Sequence, residues 1–197
     1  KSMSQSDRHD ASHGVPVRLA KPRIAPVNYD QATAAQRQAI DAFGLPQPVL
    51  NIFATLAQAP EALNAFRPWG GYVLSPDNSL PAREREIVIL RVGARCRSGY
   101  EFTQHWRIGL HAGLSEAEMT RIRDGSASDW PAPEAALIRA CDDIVTDQFV
   151  SDASWTALAA HFTERQVMDV VFTASEYVMV STMLSSFGVQ VEEAPAA

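Results

Sequence analysis

The chain has 197 residues, of which 46% are hydrophobic, and carries a formal net charge of −6 at pH 7. That length suits one compact domain with a sizeable core, and the apolar share excludes wholesale disorder. Lys and Arg are scattered through an acidic chain, which excludes a broad basic surface for nucleic acid or anionic lipid and points to a small-molecule partner. The two cysteines, Cys96 and Cys141, are too few for a disulfide framework and have no metal-ligand spacing. Such usage suits a reducing compartment, so a cytoplasmic location is expected.

In chain order, residues 1–28 are Pro-rich (Pro16, Pro22, Pro26) and without periodicity, which reads as an extended or partly disordered arm ahead of a helical domain over 29–197. Lys1 to Gly14 hold no apolar run, so no signal peptide is expected. Helix-start signals then punctuate the chain. Thr33 with Gln36, Ser98 with Glu101, Ser115 with Glu118 and Thr163 with Gln166 each fit a capping box. Pro60, Pro81 and Pro131 sit at or just before first turns, where a missing N–H is tolerated. The expected helices are 33–43, 49–58, 60–74, 81–96, 99–112, 115–124, 131–148, 152–161 and 164–187. Gly113 and Gly188 are placed to close two of them. The run Ile87–Val92 is β-branched and nearly all apolar, so periodicity alone also allows a buried strand there. Val167–Leu184 is the longest apolar segment, but Asp169 and Glu176 interrupt it. It reads as a buried core helix rather than a membrane span, with Glu176 either an interface or pocket charge or, the favoured reading, at a solvated edge.

The chemistry-bearing stretch runs from Leu80: LPAREREIVILRVGARCRSGYEFTQHWRIGLHAGLSEAEM. On a helix, Ser98, Glu101 and His105 share one face, since Glu101 is four residues and Ser98 seven residues before the histidine. A carboxylate one turn from an imidazole fixes its tautomer and favours its charged form, an arrangement suited to moving protons near neutral pH. The same glutamate, as N3 of a capping box, could equally reach back to the helix N-terminus. Arg85, Arg91 and Arg107 are near enough in sequence to hold a substrate carboxylate. Trp69, Tyr72, Tyr100, Phe102, Trp106 and Tyr177 could line a pocket or pack the core. His111 lies off the Glu101–His105 face, so no metal site is expected.

This stretch, with the tail VVFTASEYVMVSTMLSSFGVQVE, closely resembles the signature of the carboxymuconolactone decarboxylase / alkylhydroperoxidase-D-like superfamily. In that signature an acid-led buried helix, a short bend and a second helix bearing a catalytic histidine precede an Ala-Gly-Leu/Val-Ser/Thr pattern. The resemblance runs from about Thr33 to Glu192. It implies an all-α, single-domain helical bundle, assembled as a homo-oligomer (dimer, trimer or hexamer), and reads Ile87–Val92 as helix. The superfamily's peroxidase branch carries CxxC, three further residues and His, with an acid twelve positions before the first cysteine. Anchored on His105, the cysteine positions fall on Ser98 and Glu101, and the acid on Glu86. Thiol peroxidase chemistry needs an attacking and a resolving thiol, and Cys96 lies two residues early, roughly 200° around a helix from position 98. The resemblance therefore implies the non-redox branch: a cofactor-free, metal-free acid–base enzyme of decarboxylase type acting on a small carboxylated or lactone compound, such as one derived from an aromatic. His105, Glu86 and Glu101 are its expected catalytic residues, and Ser98, Tyr100, Arg85 and Trp106 its expected substrate contacts. A peroxiredoxin-like activity, disfavoured by the missing cysteine pair, and a non-catalytic oligomeric binding protein are the alternatives.

Overall fold

A computed structural model of the chain describes residues 13–192, which hold nine α-helices, two short 3-10 turns and no strand. The helices are α1 (Ala34–Asp41), α2 (Asn51–Leu56), α3 (Pro60–Leu74), α4 (Ala82–Arg95), α5 (Gly99–His111), α6 (Glu116–Asp124), α7 (Ala132–Asp147), α8 (Asp152–Ala159) and α9 (Glu164–Phe187). Each lies within an expected span: α3 and α9 coincide with theirs, and the others are trimmed by a residue or two at one or both ends. Thr33, Ser115 and Thr163 form the expected capping boxes. Gly113 and Gly188 follow α5 and α9 with φ of +94° and +72°.

The architecture is organised around α4. Every residue from Glu86 to Gly93 is buried, because α5, α6, α7 and α9 surround this helix on all sides. A helix that is apolar all round must be enclosed, which is why the Ile87–Val92 run is helical despite its β-branched composition. The main core joins Ile87, Val88, Ile89, Leu90 and Val92 to Phe102 and Trp106 of α5, Met119 and Ile122 of α6, Leu137 and Ile138 of α7, and Val170 and Tyr177 of α9. Helix α9 has the length and apolarity of a membrane span, but 56% of its apolar window is buried inside the fold. A smaller core under α1 to α3 holds Ile40, Ala54, Ala57 and Leu63.

Residues 13–28 form an extended strap docked on this bundle. Val15 is buried, Arg18 donates to the Cys96 carbonyl at 3.1 Å, and the N–H groups of Arg23 and Ile24 both donate to the Phe187 carbonyl. The strap crosses the start of α5 so closely that a Cβ on Gly99 would lie 2.3 Å from the Val15 carbonyl oxygen. Only glycine permits that approach. The expected arm over residues 1–12 lies outside the described residues.

Candidate active site

The site grows from the bend between α4 and α5. Arg97 takes a left-handed conformation, φ +54°, so that the Arg97 N–H reaches the Ala94 carbonyl at 3.0 Å and the Ser98 N–H reaches the Gly93 carbonyl at 2.8 Å. These bonds satisfy the last carbonyls of α4, and they fix the backbone of Ser98 at ψ 87°. The genuine caps Thr33, Ser115 and Thr163 have ψ of 164°, 157° and 159°. The Ser98 hydroxyl is thereby turned away from the α5 amides, and the fourth expected capping box does not form. Glu101 is left free to point along its helix.

It points at His105. Glu101 Oε1 lies 3.0 Å from His105 Nε2, one turn on. From α4, Glu86 Oε2 lies 2.7 Å from His105 Nδ1. From α9, the Tyr177 hydroxyl lies 3.0 Å from Nε2, with its ring edge-on to the imidazole. All four residues are buried. Burial alone would discharge the imidazole, but the Glu86 charge and the hydrogen bonds to Glu101 and Glu86 outweigh it and push its pKa up to about 10. At neutral pH His105 is an imidazolium. Burial, reinforced by the surrounding carboxylates, raises the Tyr177 phenol well above its ordinary range and keeps it protonated. Glu86 occupies Nδ1, so Nε2 is the nitrogen able to exchange a proton with a ligand.

Among the described residues, several buried polar atoms here have no hydrogen-bond partner: Ser98 Oγ, Glu101 Oε2, Arg85 Nε and Glu176 Oε1. Buried polar groups are normally satisfied, so these mark places where a ligand can bind. The arginines divide cleanly. Arg91 is consumed by Asp142 and by the carbonyls of Ile122 and Gly125, Arg107 is exposed, and Arg85 has a charge felt at Tyr177. Tyr100 and Trp106 are not brought to the histidine. The Tyr100 hydroxyl donates to Glu192 at 2.7 Å and its ring packs with Val180, Leu184 and Val189. Trp106 stacks on His13 at 4.2 Å between ring centroids and faces the core beside Phe102. Both follow from helical geometry, since Trp106, one residue on, points about 100° away from His105, and Tyr100, five residues before, about 140° away. His111 is exposed, with Nδ1 2.7 Å from the Arg107 carbonyl of its own helix.

Sequence reasoning misplaced Glu176, which is 4% exposed rather than at a solvated edge. Its signal was available: Asp169 and Glu176 are seven residues apart on one face of an apolar helix. Asp169 is held by the Ser79 N–H and hydroxyl and by the Tyr72 hydroxyl. The cysteines do not substitute for the missing pair. Cys141 Sγ lies against the Val88 carbonyl, two turns before Cys96 and about 12 Å from it along α4. Both thiols are free, and burial raises both above their ordinary range.

Residues 60–143, from α3 into α7, match the model of the carboxymuconolactone decarboxylase family. Among solved structures, the fold is similar to the alkylhydroperoxidase AhpD core of a peroxidase-related protein from Ralstonia eutropha (21% identity, 88% of this chain and 95% of that one, TM-score 0.71). It is similar also to a peroxidase-related protein from a Silicibacter species (16% identity, 90% and 92%, TM-score 0.67). A third is the debrominase Bmp8 in complex with 2,3,4-tribromopyrrole (12% identity, 88% and 93%, TM-score 0.69). None of the curated protein sequences compared with it matches the chain. The fold is thus that of the all-helical AhpD-like proteins. The family match and the AhpD-like fold together support assignment to the carboxymuconolactone decarboxylase / alkylhydroperoxidase-D-like superfamily.

Proposed function

We propose that the protein is a cofactor-independent acid–base enzyme of decarboxylase type, acting on a small carboxylated or lactone compound. The observation that carries this reading is the buried His105, held between Glu86 and Glu101, the second of which stands where redox relatives would need a thiol. Glu86 orients the ring and stabilises its positive charge, and Nε2 presents the proton. As a substrate carboxylate leaves as CO₂, its bonding electron pair remains on the conjugated carbon, and the Nε2 proton closes the new C–H bond. Arg85, with its buried unpartnered Nε, is the guanidinium suited to the substrate's anionic end. Tyr177 and Ser98 add hydroxyl donors. The tribromopyrrole in the debrominase structure supports a small, flat, electron-rich ligand.

The test is a screen of small aromatic acids and carboxylated lactones for CO₂ release, with His105→Ala as the blank. Release that disappears in the blank supports the reading. Dithiol-dependent peroxide turnover abolished by replacing Cys96 and Cys141 with Ser would replace it with the peroxidase alternative.

We further propose a homo-oligomer. Leu74 of α3 and Met168 and Met179 of α9 are each more than 40% exposed, and these two helices pack together. Such an apolar surface fits burial against another copy. A solution mass near the 21.5 kDa of one chain at micromolar concentration would rule this out.

A further inference from the structure

Decarboxylation consumes one proton per turnover, because the carboxylate departs as CO₂ and the carbon it leaves takes a proton. On the reading above, that proton comes from His105, which is 4% exposed and cannot recover it from water directly. On the Nδ1 side the chain of groups ends at Glu86, itself 1% exposed and enclosed in the core. On the Nε2 side it continues through Glu101 toward α9 and α3.

Glu176 lies on that side. It precedes Tyr177 on α9, and α3 covers its carboxyl. The Trp69 indole N–H faces it, and Oε1 lies 3.6 Å from where a Cβ on Gly70 would stand. The groups facing it are Trp69 from α3, Glu101 from α5 and Tyr177 from its own helix, with Glu86 and Arg85 of α4 beyond Tyr177. No basic group pairs with it among the described residues. Burial, opposed by the Trp69 indole and assisted by the Glu101 charge, pushes its pKa up to about 7. Glu101 Oε2 and Glu176 Oε1 both lack partners, and they belong to carboxyls close enough for one charge to act on the other. The cover is thin. Trp69 is 41% exposed, and Pro68, Gly70 and Gly71 leave this turn of α3 poor in helix-stabilising residues.

We propose that Glu176 is the proton-exchange residue of the site, taking a proton from solvent at the Trp69–Gly70 edge of α3 and returning it through Glu101 to His105. The steps balance. Water or a buffer acid protonates the Glu176 carboxylate, the acid passes that proton to Glu101 Oε2, and rotation of the Glu101 carboxyl delivers it to Nε2. One proton enters for each one used. Glu176 acts through Glu101 and does not touch the substrate.

The test needs no substrate, so its failure is separate from failure of the decarboxylase reading, which the screen decides. In full-length protein carrying carbon-13 glutamate, the carboxyl signal lost in Glu176→Gln should titrate near 7 in the wild type. Saturation transfer from water to the His105 ring N–H should slow about tenfold or more in Glu176→Gln. In Glu176→Ala, added formate should restore the exchange in proportion to its concentration, which a purely structural role would not produce. A Glu176 signal titrating in the ordinary glutamate range, or exchange unchanged in Glu176→Gln, overturns the proposal. The titration is read on unaltered protein, so it holds even if a variant folds poorly.

Discussion

Two polar clusters hang from the same buried helix five residues apart, and they are built to opposite rules. At Arg91 every hydrogen-bonding group of a 3% exposed guanidinium is answered. Nε and Nη2 grip the two oxygens of Asp142 at 2.8 and 2.7 Å, and Nη1 donates to the carbonyls of Ile122 and Gly125 at 2.7 and 2.9 Å. This clamp ties α4 to α7 and to the end of α6. At Glu86 the cluster is larger and incomplete: His105 is satisfied, while oxygens of Glu101 and Glu176 have no partner among the described residues. A complete network fixes a fold, whereas an incomplete one at equal burial costs stability and persists where a ligand completes it.

That contrast can be broken or sharpened by substitution. The largest effect is expected at His105. His105→Gln should keep the fold while turnover of the screened substrate falls by about 10²–10⁴-fold, with kcat falling more than KM rises if the proton moves only in the transition state. Next is Arg91→Ala, which leaves two carbonyls without their donor and Asp142 with only Arg95, at 3.1 Å. It should cost about 3–5 kcal/mol of stability in denaturant unfolding, and a loss under 1 kcal/mol would show that the clamp is not the structural member of the pair. Glu101→Gln is intermediate and discriminating. Because Glu101 caps nothing, the variant should lose no helix cap, any fall in melting temperature should follow the lowered His105 pKa, and it should be slow because Nε2 loses a charged partner. The smallest effect is expected from replacing Cys96 and Cys141 together with Ser: about 1–2 kcal/mol of packing loss at most and near-native turnover.

Much of the fold was legible in the sequence, because capping hydroxyls, first-turn prolines and closing glycines act locally. Nine helices follow from those signals with boundaries shifted by a residue or two. The Ser98–Glu101 pattern shows where local reading stops. Its letters match a capping box, but the turn that closes α4 claims the Ser98 backbone and rotates its hydroxyl away. The grouping of Glu86, Glu101 and His105 was accessible through a family resemblance and through helical spacing. Which arginine is left over was not, since Arg91 is spent on Asp142, fifty-one residues away. Tyr100 and Trp106 were expected as substrate contacts, and the helix turns both of them away from His105. Glu176 was misread for the same kind of reason: only the packing of α3 over α9 makes that position buried.

The central claim is that His105 is a charged acid held by two carboxylates, and the most direct test is a nitrogen-15 NMR titration of its ring. Both nitrogens should be protonated at neutral pH, with a midpoint near 10, and Glu86→Gln or Glu101→Gln should each lower that midpoint. Because the folded value lies above the ordinary 6.5, the charged ring's contribution to stability should be complete below about pH 6.5 and lost as pH rises through about 10. A ring that is neutral at pH 7, with one nitrogen bare, would contradict the account and leave the site without its acid.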